Sequence, residues 1–116
     1  MKGCLEMVRK EQTGNRDLTY SGYHRTLSRH CYYMDIDGIE YRYGRGIVAL
    51  IETKMKGGKI SSFQSDVLDD LVKNTLFHIF VVWYTKPISS FEILNWRTKT
   101  TITLDEEEYR KFIEEL

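Results

Sequence analysis

The chain has 116 residues, with 17 basic and 17 acidic side chains, 41% hydrophobic content and one proline. That composition is soluble and globular, and its length fits one domain, residues 1–116, with a single modest core. No stretch approaches the roughly eighteen consecutive apolar residues of a membrane span, the longest near-continuous one being Leu76 to Tyr84. Charges interrupt "MKGCLEMVRKEQ", so no secretory leader and no membrane partner are expected, and a cytoplasmic (intracellular) location is predicted. Cys4 and Cys31 have no metal-type spacing and read as reduced thiols. The charge is uneven: residues 1–60 carry 11 basic and 7 acidic side chains, residues 61–116 carry 6 and 10. One basic face for a polyanion and an acidic far side would account for this, as would ordinary solvated surfaces.

In chain order, residues 2–12 suit a short helix with Leu5 and Val8 inward, and "TGNRDLTYSGYHRTLSR" is polar and turn-rich. "CYYMDIDGIEYRY" has strand composition; alternation places Tyr33, Asp35, Asp37, Ile39 and Tyr41 on one side and Met34, Ile36 and Glu40 on the other. "GRG" at residues 44–46 supplies a turn, and residues 47–55 return as the antiparallel neighbour. After Gly57 and Gly58 the period becomes helical through Ile60, Phe63, Val67, Leu68, Leu71 and Val72, ending near Asn74. Ser61 and Gln64 have the spacing of a capping box. "LFHIFVVWY" reads as a strand buried on both faces, and the right-handed crossover rule sets it parallel to residues 47–55. "FEILNW" and "KTTITL" read as later strands around a turn at Ser89–Ser90, and Asp105 with Glu108 caps a final amphipathic helix to Leu116. The expected architecture is α/β with a mixed sheet.

Functional chemistry concentrates on the hairpin. Val48, Leu50, Glu52 and Lys54 should share one face of residues 47–55, and Asp35 and Asp37 one face of the preceding strand. If the register puts both sets on one side, Asp37 and Glu52 converge with Lys54 beside them. Two close carboxylates repel and favour a hard divalent cation, Mg²⁺ or Mn²⁺. Such an ion can hold a phosphate oxygen and acidify a water, while the lysine positions that water and stabilises developing charge. This is the chemistry of phosphodiester hydrolysis.

"DID…IVALIETK" resembles the PD-(D/E)XK nuclease superfamily, with Ile36 where the motif has proline. The resemblance covers about residues 30–85 and implies a restriction-endonuclease-like αβββαβ core with a mixed central sheet flanked by helices. It implies Asp37 and Glu52 as metal ligands, Lys54 as the catalytic lysine, and the backbone carbonyl of Thr53 as a further ligand. Gln64 sits where many members carry a glutamine on the following helix, although its capping role explains it as well. Asp37 leads into "GIEY" and is preferred as ligand over Asp35, which could assist. Members often add a glutamate from the first helix; Glu6 and Glu11 are both available, and Glu11 is the working choice.

His24, Arg25, Lys56 and Lys59 are candidate phosphate contacts, with ordinary surface residues as the competing reading. His30 and His78 read as structural. Trp83, Tyr84 and Trp96 could stack bases, and core packing is the alternative. The resemblance thus implies a metal-dependent DNA endonuclease or exonuclease, leaving 5′-phosphate and 3′-hydroxyl ends. At this length it would be structure-selective rather than sequence-specific, like small Holliday-junction resolvases of DNA repair and recombination or small viral nucleases, with a homodimer as one possible assembly. The alternatives are a catalytically silent nuclease-fold module that binds nucleic acid or serves as a structural subunit, and a plain protein-interaction domain.

Overall fold

The computed structural model describes residues 17–116, which fall into two units divided at Met34/Asp35. The helix expected over residues 2–12, together with Cys4, Glu6 and Glu11, lies outside the described residues. In the first unit, helix α1 spans Thr19–His24, inside the segment read from sequence as polar and turn-rich. Tyr33 packs its ring against Tyr20 and His24, with centroids 5.3 and 5.0 Å away. Arg25 is the exposed C-cap residue.

The second unit is an α/β arrangement on one five-stranded mixed sheet. Its strands are β1 (Gly38–Arg42), β2 (Gly46–Met55), β3 (His78–Tyr84), β4 (Ser90–Asn95) and β5 (Thr100–Asp105), adjacent in that order. Helix α2 (Ser62–Asn74) joins β2 to β3, and α3 (Glu106–Glu114) follows β5. β2 and β3 are parallel and the other neighbours antiparallel. The crossover through α2 dictates the parallel pair, since a hairpin cannot return a strand in the same direction.

Two apolar layers hold the sheet. On the α2 side, Leu68, Ile79 and Val81 are buried with Leu50, Ile60, Leu71, Trp83 and Leu94 around them. On the α3 side, Ala49, Ile51, Phe80, Val82, Phe91 and Ile93 pack with Tyr109, Phe112 and Ile113. β3 contributes to both layers, which explains why its sequence is almost uninterruptedly apolar. α2 starts with a complete capping box, Ser61 Oγ accepting from Gln64 N and Gln64 Oε1 from Ser61 N, both at 3.1 Å. Its other end is held by Arg97, whose guanidinium donates to the carbonyls of Val72, Thr75 and Phe77. Asp105 and Glu108 cap α3 in the same reciprocal way.

Several expectations change. Residues 31–36 have no regular structure and β1 begins at Gly38, so Asp35 is not on a strand. Two strands, not three, precede α2 among the described residues, so the first strand of an αβββαβ core has no counterpart there. Glu40 pairs with Ala49 but Tyr41 with Ile47, a bulge that skips Val48. Val48 consequently packs with the α3-side layer, away from Leu50 on the α2 side. Ser90 opens β4 instead of forming a turn, and the β4–β5 turn falls at residues 96–99, with Lys99 at φ 59°. His78 is exposed at the start of β3 and stacks on Phe80, with centroids 5.4 Å apart, instead of lying inside the core. His30 is also exposed.

Leu68 is almost fully buried, whereas Leu76 is 98% exposed. Leu68→Ala should lower stability in urea denaturation by about 2–5 kcal/mol. Leu76→Ala should change it by less than about 0.5 kcal/mol.

Candidate active site

The site forms at the carboxyl end of β2. Gly38 pairs with Ile51, so Asp37 reaches the level of Glu52 and Thr53 on the neighbouring strand. Thr53 fixes Asp37 there: its backbone N–H and Oγ1–H both donate to Asp37 Oδ2, at 2.9 and 3.2 Å. Glu52 and Lys54 point to the α2 side, as Leu50 does, because strand side chains alternate. Gln64, in the first turn of α2, closes the group. Its Nε2 donates to Glu52 Oε2 at 3.2 Å, and its Oε1 accepts from Lys54 Nζ at 3.2 Å. Lys54 Nζ is itself 3.8 Å from Glu52 Oε2.

The two readings of Gln64 prove compatible, because one amide serves the helix cap and the site together. Asp37, Glu52, Lys54 and Gln64 therefore converge, with Thr53 between them. Asp35 is exposed and outside the strand. Lys56 and Lys59 are exposed on the segment that follows β2, and the Lys56 N–H donates to the Tyr84 carbonyl at 2.8 Å. His24 and Arg25 belong to the first unit.

Glu52 is the one charged side chain that is buried among the described residues, at 6% exposure. Its Oε1 is buried and makes no hydrogen bond. Its carboxyl is pushed up to about 7, first by burial, then by the neighbouring Asp37 charge and the contact between the two carboxyls, with Lys54 pulling the other way. Among the described residues, no group of three or more His, Cys, Asp and Glu side chains comes together. The acidic pair Asp37–Glu52 is what a cation would meet, supplemented by backbone or water oxygens.

A feature not anticipated from sequence is the role of Gly58. Its carbonyl accepts from Trp83 Nε1 at 2.7 Å. A side chain at this position would meet the Met55 carbonyl oxygen at 3.0 Å and Lys54 Cβ at 3.3 Å. The glycine thus lets the loop lie against the stem of Lys54. Only the three-dimensional path of the loop reveals this; the sequence shows a glycine pair and no more.

Comparisons with protein-family models, with curated proteins and with solved structures find no match to the chain.

Unfolded, Glu52 would lose its proton near 4.5; folded, it does so only at about 7. The folded state binds more protons in that window, so this residue's contribution to stability falls as pH rises through it and is constant above it. The stability difference between wild type and Glu52→Gln, followed by urea denaturation across that range, should change by on the order of 1–2 kcal/mol after allowance for hydration. Gly58→Ala should cost about 1 kcal/mol or more through the crowding of Lys54 and the Met55 carbonyl. The near-ultraviolet circular dichroism of Trp83 should change with it.

Proposed function

We propose that the protein is a metal-dependent deoxyribonuclease of the PD-(D/E)XK type, built on a restriction-endonuclease-like core and using Asp37, Glu52 and Lys54. The observation that carries this reading is the placement of Glu52. A carboxylate with one buried, partnerless oxygen, beside a second carboxylate and a lysine, is costly to folding and suits a divalent cation. The donors are all oxygen, as Mg²⁺ or Mn²⁺ prefers, and Mg²⁺ is commonly held by one or two carboxylates with water and substrate phosphate completing its shell. Asp37 and Glu52 would hold the ion, with the Thr53 carbonyl as a further ligand. When bound, the ion would supply a Lewis acid for a phosphate oxygen and lower the pKa of a water.

The remaining work falls to this chain's own groups. Lys54 places its ammonium at the edge of the carboxylate pair, where it can orient the attacking water and balance negative charge growing on the phosphate. Gln64 holds both Lys54 and Glu52, so it is a positioning residue. Thr53 does the same for Asp37. Lys56 and Lys59, exposed just beyond β2, are suited to contacts with the DNA backbone. Cutting both strands of a four-way junction would call for a symmetric pair of copies. No helix among the described residues is long and apolar enough to cross a membrane.

The test is cleavage of labelled linear, single-stranded, flap and four-way-junction DNA with Mg²⁺, Mn²⁺ or chelator. Cleavage should require the metal. Asp37→Asn, Glu52→Ala and Lys54→Ala should each reduce the rate by roughly 10²–10³-fold or more. Binding without cutting under every condition would favour the catalytically silent module instead.

A further inference from the structure

Lys54, Trp83, Glu92 and Thr103 are successive register partners across β2, β3, β4 and β5, so they form one row on the α2 face of the sheet. The row leads from the candidate site into an open cleft of about 270 Å³ lined by Lys56, Trp83, Tyr84, Ser90, Glu92 and Thr103. Neither the motif nor the site chemistry assigns this cleft a role. With strands about 4.8 Å apart, Trp83 lies one strand from Lys54 and Glu92 two. That displacement is on the scale of one step along a nucleic-acid strand.

The lining selects among occupants. Glu92 is exposed, and no ion pair neutralises it among the described residues. An unpaired carboxylate repels a phosphodiester, so the cleft does not suit the backbone itself. Trp83 supplies aromatic surface, and the Gly58 carbonyl holds its indole in place. An aromatic wall beside a carboxylate that can only accept hydrogen bonds fits a flat ring carrying N–H donors. Lys56, at the same cleft, is available to the phosphate attached to that ring's nucleotide.

We propose that this cleft is a nucleobase subsite for the nucleotide flanking the scissile phosphate, with Glu92 accepting a hydrogen bond from the base's exocyclic amine. Cytosine satisfies that acceptor with its exocyclic amine, whereas thymine offers only an N3–H flanked by two carbonyl oxygens that the carboxylate repels. Glu92 is therefore a specificity-determining residue, and an unpaired amino-bearing base is the preferred occupant. The location of the scissile bond rests on the nuclease reading above; the base preference of the cleft does not.

The experiment measures the binding of labelled oligo(dC) and oligo(dT) by fluorescence anisotropy, using full-length Lys54→Ala protein in Mg²⁺ so that no strand is cut. Oligo(dC) should bind about tenfold more tightly than oligo(dT). Adding Glu92→Gln should bring the ratio close to one, because the amide can also donate to a thymine carbonyl. Adding Trp83→Phe should weaken both oligonucleotides several-fold, with circular dichroism confirming that the variants fold. Equal binding of the two oligonucleotides, a ratio unchanged by Glu92→Gln, or no binding of either would overturn the subsite. Wild-type cleavage in parallel separates the two ideas. Metal-dependent cutting without base preference leaves the nuclease and removes the cleft; preferential binding without cutting by wild type does the reverse.

Discussion

The burial of a carboxylate at the end of β2 is the constraint on which the rest of the arrangement depends. Glu52 continues the row that contains Leu50, where the α2-side layer would otherwise take another aliphatic side chain. Removing a charge from water is expensive, and part of the expense shows in the raised proton affinity of this group. The surroundings offset only some of it: a glutamine amide, a lysine at the edge of contact distance, and a second carboxylate that makes matters worse. The two apolar layers on either side of β3 supply the stability that tolerates this arrangement. Apolar packing and charge are thereby separated along one strand, with Ala49 and Ile51 serving the core and Glu52 and Lys54 the candidate site.

Much of this organisation was legible in the residues. The change from alternating to helical period after Gly58, the Ser61–Gln64 and Asp105–Glu108 boxes and the apolar run to Tyr84 each reflect a local rule that the tertiary structure does not override. Parallel pairing of β2 and β3 followed from the intervening helix. The convergence of Asp37, Glu52 and Lys54 followed from alternation once the hairpin register was granted, whereas Gln64 was expected there only through the family resemblance.

The differences have physical causes as well. The bulge that skips Val48 depends on how β1 meets β2, which the composition of neither strand encodes. Asp35 and the residues before it have strand-like side chains, yet β1 starts only at Gly38, since propensity alone does not supply a partner for the backbone. His78 lies within an apolar run but at the mouth of its strand, where the layers end. The alignment of Trp83 with Glu92 is invisible in the chain, because eight residues that include a turn separate them and only the antiparallel register joins them.

The amide of Gln64 carries a consequence of its own. Its oxygen faces the Lys54 ammonium and the Ser61 N–H, both donors, while its nitrogen faces a carboxylate oxygen. Turning the group over would set its N–H donors against two donors and its oxygen against a carboxylate oxygen, so a single orientation is enforced. The first turn of α2 is thereby wired to the ionic state of the strand beside it. A change of charge on Glu52 alters the pull on an amide that also closes the helix cap, so that turn is coupled to the protonation of the strand carboxylate. Amide-proton exchange at the start of one helix would then register events at a carboxylate on a different element.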